Sequence, residues 1–296
     1  MGDLYMQNMI GSIDPVAFNL GPIEVAWYGI IIVTGMFLAV WLSIREADKL
    51  GIREDFIVDL AFWMIPMGLI GARIYYVLFE LPTYLADPIR IFFIWEGGIA
   101  IYGGLILGFI TMYWYSRKND VPVWLLVDIL APHVMLAQAI GRWGNFINQE
   151  AHGGEVSRQF LENLRLPEFI IEQMNIGGTY YHPTFLYESV WNLVGFVVLM
   201  LLRAKKDLML RGEIFLGYLA WYGLGRFFIE GMRTDSLYIG DFRVSQVLSL
   251  LLLITSIGLL IYRRFYDYPK PPYYSEGIKP EKEFREKKKK YDQRKK

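Results

Sequence analysis

The chain has 296 residues, of which 54% are hydrophobic and 16% aromatic, which is too apolar for a soluble domain of this size. Its 30 Lys and Arg residues balance 30 Asp and Glu residues, so the net charge gives no reason to expect a nucleic-acid partner. The absence of cysteine excludes disulfides, thiolate metal sites and a thiol nucleophile supplied by the chain itself.

Seven apolar stretches approach the ~20 residues that a helix needs to cross a bilayer. In chain order they cover residues 23–43, 56–79, 97–115, 121–141, 183–202, 212–232 and 243–262. The sequence therefore predicts an all-α membrane protein whose seven transmembrane helices form one domain, residues 1–262. A shorter apolar segment, residues 84–96, contains Asp87, Pro88 and Arg90, which favours a position along the interface or a re-entrant segment over an eighth crossing.

Basic residues predict the orientation of these helices, because loops rich in Lys and Arg stay in the cytoplasm. They cluster between helices 1 and 2, 3 and 4, and 5 and 6, at Arg45, Lys49, Arg53, Arg117, Lys118, Arg203, Lys205, Lys206 and Arg211. Residues 263–296 form a basic tail that we expect to be cytoplasmic and disordered. Seven crossings then place the N-terminus outside and make residues 142–182, between helices 4 and 5, a small extracytoplasmic cap.

Ionisable side chains interrupt the apolar pattern of several predicted helices. Each costs ~2.5–3.5 kcal/mol at the centre of a bilayer, so each is a functional candidate. Tyr222, Arg226 and Glu230 are spaced i, i+4, i+8 and lie along one helix face. Arg142 and Arg226, at the outer ends of different helices, predict a site for the phosphate of a lipid headgroup. The alternative is that Arg226 only pairs with Glu230 or Glu188 inside the bundle.

Several motifs resemble those of a single family. The run Gly141 to Glu150 is GRWGNFINQE, which resembles the G-R-x-G-N-F-x-N-x-E signature of the prolipoprotein diacylglyceryl transferases. Other blocks of that family occur in the same order, at Trp27-Tyr28-Gly29, at His182-Pro183-Thr184 through Glu188, and at Tyr222 to Glu230 followed by Arg233. The resemblance covers roughly residues 20–262 and leaves out the basic tail.

The resemblance implies a transferase in a bacterial cell membrane, with neither a metal nor an organic cofactor. It implies phosphatidylglycerol as the donor, the lipobox cysteine in the signal peptide of a prolipoprotein as the acceptor, and glycerol phosphate as the second product. By position it implies catalytic roles for Arg142, Glu150, Arg226 and Glu230, and substrate contacts for Tyr28, Gly103, Gly104, Arg142, Asn145, Glu188, Tyr222, Arg226 and Arg233. Tyr102, which stands where many members carry a histidine, is a further catalytic candidate.

One position departs from the family pattern. Many members carry a histidine before a Gly-Gly pair in the third helix, proposed as the base that deprotonates the thiol, whereas this chain has Tyr102 before Gly103 and Gly104. A phenol with an ordinary pKa of ~10 is a poor base for a thiol with an ordinary pKa of ~8.5. A histidine base therefore does not transfer to this chain, and Glu150 or Glu230 becomes a candidate proton acceptor.

Three other functions compete with this interpretation. A transporter or channel also carries polar residues inside helices, but the chain has no internal repeat. A metal-dependent phosphatidyl transferase needs clustered aspartates, whereas Asp59 and Asp128 are isolated. A phospholipid-binding protein without activity would bind phosphatidylglycerol and release no glycerol phosphate.

Overall fold

The computed structural model describes residues 13–21, 23–205, 207–266, 271–274 and 293. Its long helices are α1 (Trp27–Lys49), α2 (Glu54–Phe79), α4 (Ile101–Lys118), α5 (Val123–Ile147), α8 (Thr184–Ala204), α9 (Glu213–Met232) and α10 (Val244–Phe265). Its short helices are α3 (Leu81–Ala86), α6 (Arg158–Asn163) and α7 (Glu168–Gln173), with two 3-10 turns at Pro88–Phe92 and Ile94–Glu96. Its strands are β1 (Val16–Leu20), β2 (Ile23–Ala26), β3 (Glu155–Val156), β4 (Asn175–Ile176), β5 (Thr179–Tyr181), β6 (Tyr238–Ile239) and β7 (Phe242–Arg243).

Five helices of the described chain, α1, α2, α5, α8 and α10, are long and apolar enough to cross a membrane. The predicted class, an all-α membrane protein, is therefore confirmed. The two other long helices are less apolar, because α4 ends in Arg117 and Lys118 and α9 contains Glu213, Arg226 and Glu230. That these two also cross the bilayer stays a prediction.

The helices differ from the predicted stretches mainly at their ends. Residues 23–26 are not helical, because they pair with β1 in an antiparallel hairpin that places Val25 opposite Phe18. Helix α4 begins at Ile101 because Gly97 and Gly98 adopt φ values of 86° and 74°, which a helix does not contain. Helix α5 continues to Ile147, six residues past the predicted end at 141, so the predicted cap boundary at residue 142 is wrong.

The chain divides into two compact units, one formed by Met1–Ala39 and Leu130–Tyr273, the other by Val40–Ile129 and Tyr274–Lys296. We call them unit 1 and unit 2. In unit 2, α2 and α4 pack through glycines. A Cβ on Gly103 would lie 2.2 Å from the Gly71 carbonyl oxygen, and a Cβ on Gly104 would lie 3.1 Å from that of Gly68. Small residues permit this backbone approach.

Arg73 of α2 anchors the turns that precede α4. Its guanidinium donates to the backbone carbonyls of Ile91, Gly97 and Gly98 at 2.9, 2.7 and 2.8 Å. The side chain is only 6% exposed, so these carbonyls replace the water that a buried cation would otherwise need. Arg73 thereby holds the segment that leads to Tyr102 in a fixed shape.

In unit 1, the chain between α5 and α8 folds into a small subdomain with a core of its own. Strands β3, β5 and β4 form an antiparallel sheet, and Ser157 caps the beginning of α6, with its hydroxyl accepting from the Phe160 amide at 3.1 Å. The buried core consists of Phe146, Leu161, Ile170, Ile171, Met174 and Phe185. Buried Gln173 donates to the carbonyls of Phe146 and Ile147, which are end groups of α5, at 3.2 and 3.0 Å. The chain between α5 and α8 is thus a folded segment attached to the end of α5, and its position as an extracytoplasmic cap stays a prediction.

The predicted disorder of residues 263–296 does not hold for the part that is described. Helix α10 continues to Phe265, and Tyr273 is only 2% exposed. The Tyr273 amide donates to Met209 and the Arg211 amide donates to Pro271, so this short segment pairs with the chain that precedes α9. Residues 267–270, 275–292 and 294–296 lie outside the described chain, and the prediction is not tested there.

Candidate active site

Three helices of unit 1 supply most of the predicted site residues. Helix α5 carries Arg142 and Asn145 near its C-terminal end, α8 carries Glu188 in its second turn, and α9 carries Arg226 and Glu230 in its last two turns. The ends of α5 and α9 and the beginning of α8 therefore meet at one place. The predicted cluster of ionisable residues forms there.

The centre of this cluster is the Glu188 carboxylate, which is only 5% exposed. Its Oε2 lies 2.7 Å from Nε of Arg142, and its Oε1 lies 2.9 Å from Nη1 of Arg226. A single carboxylate thus bridges guanidinium groups from two different helices. Charge-assisted pairs of this kind are strong when they are shielded from water, and they fix the relative positions of the two arginines.

A second buried carboxylate and a third arginine complete the cluster. Glu230, 2% exposed, pairs through Oε2 with Nη2 of Arg226 at 2.5 Å. Nη1 of Arg233 lies 3.8 Å from Oε1 of Glu188, and Nη2 of Arg233 lies 2.6 Å from Oδ2 of Asp235. The guanidinium of Arg233 holds the pKa of the Asp235 carboxyl below its usual range through their hydrogen bond. The three arginines thus share the two buried carboxylates of Glu188 and Glu230. The third carboxylate, that of Asp235, is half exposed.

Asn145 and Glu150 form a separate pair at the end of α5. The Asn145 side chain donates from Nδ2 to Oε1 of Glu150 at 2.7 Å. Gln149 and Ala151, on either side of Glu150, both adopt positive φ values of 52° and 58°. This strained turn presents an exposed carboxylate beside the last turn of the helix that carries Arg142. Because Arg142 and Asn145 are three residues apart on α5, they lie on the same helix face.

Of the two predicted tyrosines of unit 1, Tyr28 packs against α5 and Tyr222 lies on α9. The ring of Tyr28 covers Gly144, where a Cβ would lie 2.6 Å from its Cδ2. Tyr222 lies 6.2 Å from the ring of Tyr218, whose hydroxyl accepts a hydrogen bond from Gln138 of α5 at 3.0 Å. Tyr222 is also four residues before Arg226 on the same face of α9. Tyr28 therefore lies beside the helix that carries Arg142, and Tyr222 lies on the helix that carries Arg226.

Tyr102, Gly103 and Gly104 belong to unit 2, at the beginning of α4. The Tyr102 ring is 37% exposed and lies 6.5 Å from the ring of Tyr75. Gly103 and Gly104 contact the backbone of α2, as described above, which accounts for both glycines by helix packing. The predicted catalytic role of Tyr102 and the predicted substrate contacts of the two glycines stay predictions.

A strap formed by Gly153 and Gly154 was missed by the sequence interpretation. The Gly153 amide donates to the His182 carbonyl at 3.0 Å, and the Gly154 amide donates to the Met232 carbonyl at 3.1 Å. The strap therefore joins the chain just before α8 to the end of α9. Its only sequence signal is the pair of adjacent glycines in a loop, which is also common in ordinary turns.

Gly153→Ala is expected to destabilise unit 1, whereas Gly154→Ala is not. A Cβ at Gly153 would lie 2.7 Å from Cβ of His182 and 3.1 Å from the Met232 carbonyl oxygen, while a Cβ at Gly154 meets nothing within 4 Å. Overpacking of this kind costs roughly 1–3 kcal/mol. Thermal unfolding of both variants in detergent checks the difference. Equal unfolding temperatures for the two variants would contradict the proposed role of the strap.

Two histidines of unit 1, His152 and His182, make local contacts. Nδ1 of His152 lies 3.0 Å from the Gly153 carbonyl oxygen, and Nδ1 of His182 lies 3.2 Å from the Tyr187 hydroxyl. Burial lowers the pKa of the His182 imidazole, which favours its neutral form. Within the described ranges, no three His, Asp or Glu side chains are grouped in a way that could hold a metal ion.

Comparison with known proteins identifies one family. The family model described as prolipoprotein diacylglyceryl transferase matches residues 15–262. The chain is 56% identical over 271 residues to a phosphatidylglycerol–prolipoprotein diacylglyceryl transferase of Listeria monocytogenes, covering 92% of the chain and 96% of that relative. Proteins of the same name from Lactobacillus acidophilus and Enterococcus faecalis are 55% and 54% identical over 266 and 257 residues, covering 90% and 86% of the chain and 94% and 92% of those relatives.

Proposed function

The chain belongs to the prolipoprotein diacylglyceryl transferase family, and we propose that it uses the Arg142, Glu188 and Arg226 cluster to transfer a diacylglyceryl group from phosphatidylglycerol to a prolipoprotein. The acceptor is the thiol of the lipobox cysteine. A thioether bond forms between its sulfur and a glycerol carbon, the bond between that carbon and the phosphate oxygen breaks, and glycerol phosphate leaves. Because the chain itself contains no cysteine, the only thiol in the reaction belongs to the substrate.

The observation that supports this proposal most directly is the bridging of two arginines by one buried carboxylate. Arg142 contacts Glu188 through Nε, so this contact leaves its two terminal nitrogens for another acceptor. Arg226 presents its fork toward Glu188 and Glu230, and its side chain is still 15% exposed. Guanidinium groups held in this way are suited to the phosphate of a lipid headgroup. In the reaction they stabilise the negative charge that grows on the departing phosphate.

The same positive charge favours the thiolate form of the acceptor. Neighbouring cations lower the pKa of a thiol, because they stabilise the thiolate relative to the thiol.

The released proton passes to a carboxylate, for which Glu150 is better placed than Glu230. Glu150 is exposed and accepts a hydrogen bond from the amide of Asn145, whereas Glu230 is buried and paired with Arg226. Tyr28, Asn145 and Tyr222 orient the headgroup, and Arg233 supports Glu188.

The arrangement of the chain in the membrane follows the distribution of its charges. We place seven crossings in the bacterial cell membrane, α4 and α9 included, with the N-terminus outside and the basic tail in the cytoplasm. Arg142, Glu188 and Arg226 then lie near the outer face, where phosphatidylglycerol of the outer leaflet and an exported lipobox both have access. The subdomain between α5 and α8 then forms an extracytoplasmic cap. Single cysteines introduced into this cysteine-free chain, labelled from either side of the membrane, test this orientation.

The proposal is tested by transfer in a purified system. The protein in detergent is mixed with phosphatidylglycerol and a lipobox peptide, and peptide mass and released glycerol phosphate are measured together. A diacylglyceryl mass gain that disappears when the peptide cysteine is replaced with serine is the expected result. Lipid binding by folded protein, without an adduct and without glycerol phosphate, would instead support a phospholipid-binding protein or a transporter.

Tyr102→Phe is expected to retain most of the transfer activity. If the arginine cluster lowers the thiol pKa, the phenol is not needed as a base, and kcat should change by less than about threefold, with the pH dependence unchanged. A general base contributes roughly 10²–10⁴-fold, so a loss of that size would assign the proton transfer to Tyr102. The measurement is kcat as a function of pH for both proteins, with Tyr113→Phe, an exposed tyrosine of the same helix, as the control.

A further inference from the structure

Helices α8 and α9 are joined by a reciprocal pair of tryptophans, Trp191 and Trp221. The indole Nε1 of Trp191 donates to the backbone carbonyl of Trp221 at 3.0 Å, and Nε1 of Trp221 donates to the backbone carbonyl of Trp191 at 3.0 Å. The two rings are stacked, with centroids 4.6 Å apart and an interplanar angle of 26°. Each helix therefore gives one donor and one acceptor to the other, in addition to the contact between the rings.

Two glycines make this approach possible. A Cβ on Gly225 of α9 would lie 2.1 Å from Nε1 of Trp191, and a Cβ on Gly195 of α8 would lie 2.5 Å from Nε1 of Trp221. Each helix thus has a tryptophan followed four residues later by the glycine that the opposite ring covers. A shift by one helical turn, about 5.4 Å, would break both hydrogen bonds and move each ring from a glycine toward a side chain. We call Trp191, Gly195, Trp221 and Gly225 the indole clasp.

The clasp lies next to the ion pair that joins the same two helices. Gly225 directly precedes Arg226, and Trp191 follows Glu188 by three residues, which is about one turn of α8. The contact between Glu188 Oε1 and Arg226 Nη1, at 2.9 Å, therefore depends on the axial register that the clasp sets. We propose that Trp191 and Trp221 are positioning residues for the transfer reaction, which hold the Arg226 guanidinium in register with Glu188 and with the substrate phosphate.

The two indole hydrogen bonds are directional as well as stabilising. The main-chain carbonyls that accept them belong to residues inside helices, where carbonyl groups already take part in the helical hydrogen bonds. Both indole N–H groups are thereby satisfied, and each one fixes where its ring lies along the partner helix. Replacement of both tryptophans with phenylalanine keeps an aromatic ring at each position, removes both N–H donors and reduces the size of each ring. The register then becomes less well defined, while most of the packing is retained.

The proposal rests on the function assigned to Arg226, so the experiment measures both. The variants are Trp191→Phe with Trp221→Phe, Arg226→Lys, and the combination of all three changes. Val190→Ala and Phe228→Leu, which alter exposed side chains beside the clasp on the same helices, are the matched controls. For each variant, kcat and KM for phosphatidylglycerol are measured together with the unfolding temperature in detergent.

The expected result is a fall of kcat by about tenfold or more in the double tryptophan variant, because a small displacement of a catalytic group has a large effect on turnover. KM and the unfolding temperature should change little, and the tryptophan changes should cause no further loss in the Arg226→Lys background. A kcat within about twofold of the parent protein, or an equal loss in both backgrounds, would overturn the proposal. If the double variant does not accumulate, Trp191→Phe alone is judged by the same criteria.

The phosphate site and the positioning role of the clasp are tested by different outcomes. Full activity in Arg226→Ala, which removes the positive charge, would remove the basis of the proposed phosphate site, whatever the tryptophan variants do. An impaired Arg226→Lys protein together with fully active tryptophan variants would leave the phosphate site in place and overturn only the positioning role of the clasp.

Discussion

Arg226→Ala is expected to lower turnover by about 10²–10³-fold, the size of the loss when a group that stabilises a developing oxyanion is removed from an enzyme. The guanidinium joins Glu188 and Glu230 at 2.9 and 2.5 Å, and no other charge on α9 is placed to replace it. Its removal therefore has two consequences. The departing phosphate loses a cation, and two buried carboxylates lose their shared partner.

These two consequences are separated by Arg226→Lys. Lysine restores the positive charge but offers a compact ammonium in place of a planar fork, so it cannot pair with both carboxylates in the same geometry. We expect stability close to that of the parent protein and turnover between the parent and the alanine variant. Glycerol phosphate release and the unfolding temperature are measured for both variants. Parent-level turnover in Arg226→Ala would contradict the phosphate site, and Phe228→Leu serves as a control on the same helix.

The residues that share a face of α9 could be predicted from the sequence, because helix periodicity alone determines which side chains lie on the same face. Tyr222, Arg226 and Glu230 are four residues apart, and in the structure they follow one side of a single helix. The partner of Arg226 could not be chosen in the same way, since Glu188 lies 38 residues earlier on a different helix. The sequence presents Glu188 and Glu230 as alternative partners, whereas the two terminal nitrogens of the guanidinium bind one carboxylate each.

The end of α5 was predicted too early for a physical reason that sequence patterns do not contain. The apolar stretch ends at residue 141, before Arg142, but the helix continues, with the ring of Tyr28 over Gly144 and Ile32 against Gly141. These glycines make room for close packing and do not terminate the helix, so Arg142 and Asn145 are held on regular backbone. A site on a helix is more rigid than a site on a loop.

Arg73 illustrates a second limit of sequence interpretation. Within an apolar helix, a charged residue indicates only that some partner exists. Its partners here are backbone carbonyls of residues 90–98, which have no side-chain signature at all. The 3-10 turns and the positive φ values of Gly97 and Gly98 create this arrangement of carbonyls, and both depend on the folded chain.

Glu188→Gln is expected to impair turnover while strengthening the binding of anions. The carboxylate neutralises Arg142 and Arg226 from a position that is only 5% exposed, so its replacement by an amide leaves the cluster with one more positive charge. Glycerol phosphate, the leaving group, should then bind more tightly and inhibit more strongly. We expect a kcat lower by about 10²-fold, since both guanidinium groups also lose the acceptor that orients them.

Glu188→Ala is expected to destabilise the protein more than Glu188→Gln, because it leaves two guanidinium groups without any acceptor at the position of the carboxylate that they share. Removal of one partner from a buried ion pair costs roughly 3–5 kcal/mol, so this variant should unfold at a clearly lower temperature than Glu188→Gln. Glu162→Gln is the matched control, since Glu162 also pairs with an arginine at 2.8 Å but is 40% exposed and lies in α6. An exposed pair of that kind contributes only ~0.2–1 kcal/mol. If glycerol phosphate inhibits Glu188→Gln no more strongly than Glu162→Gln, the arginines that Glu188 bridges do not bind the phosphate, and the assignment of the site fails even if turnover is lost.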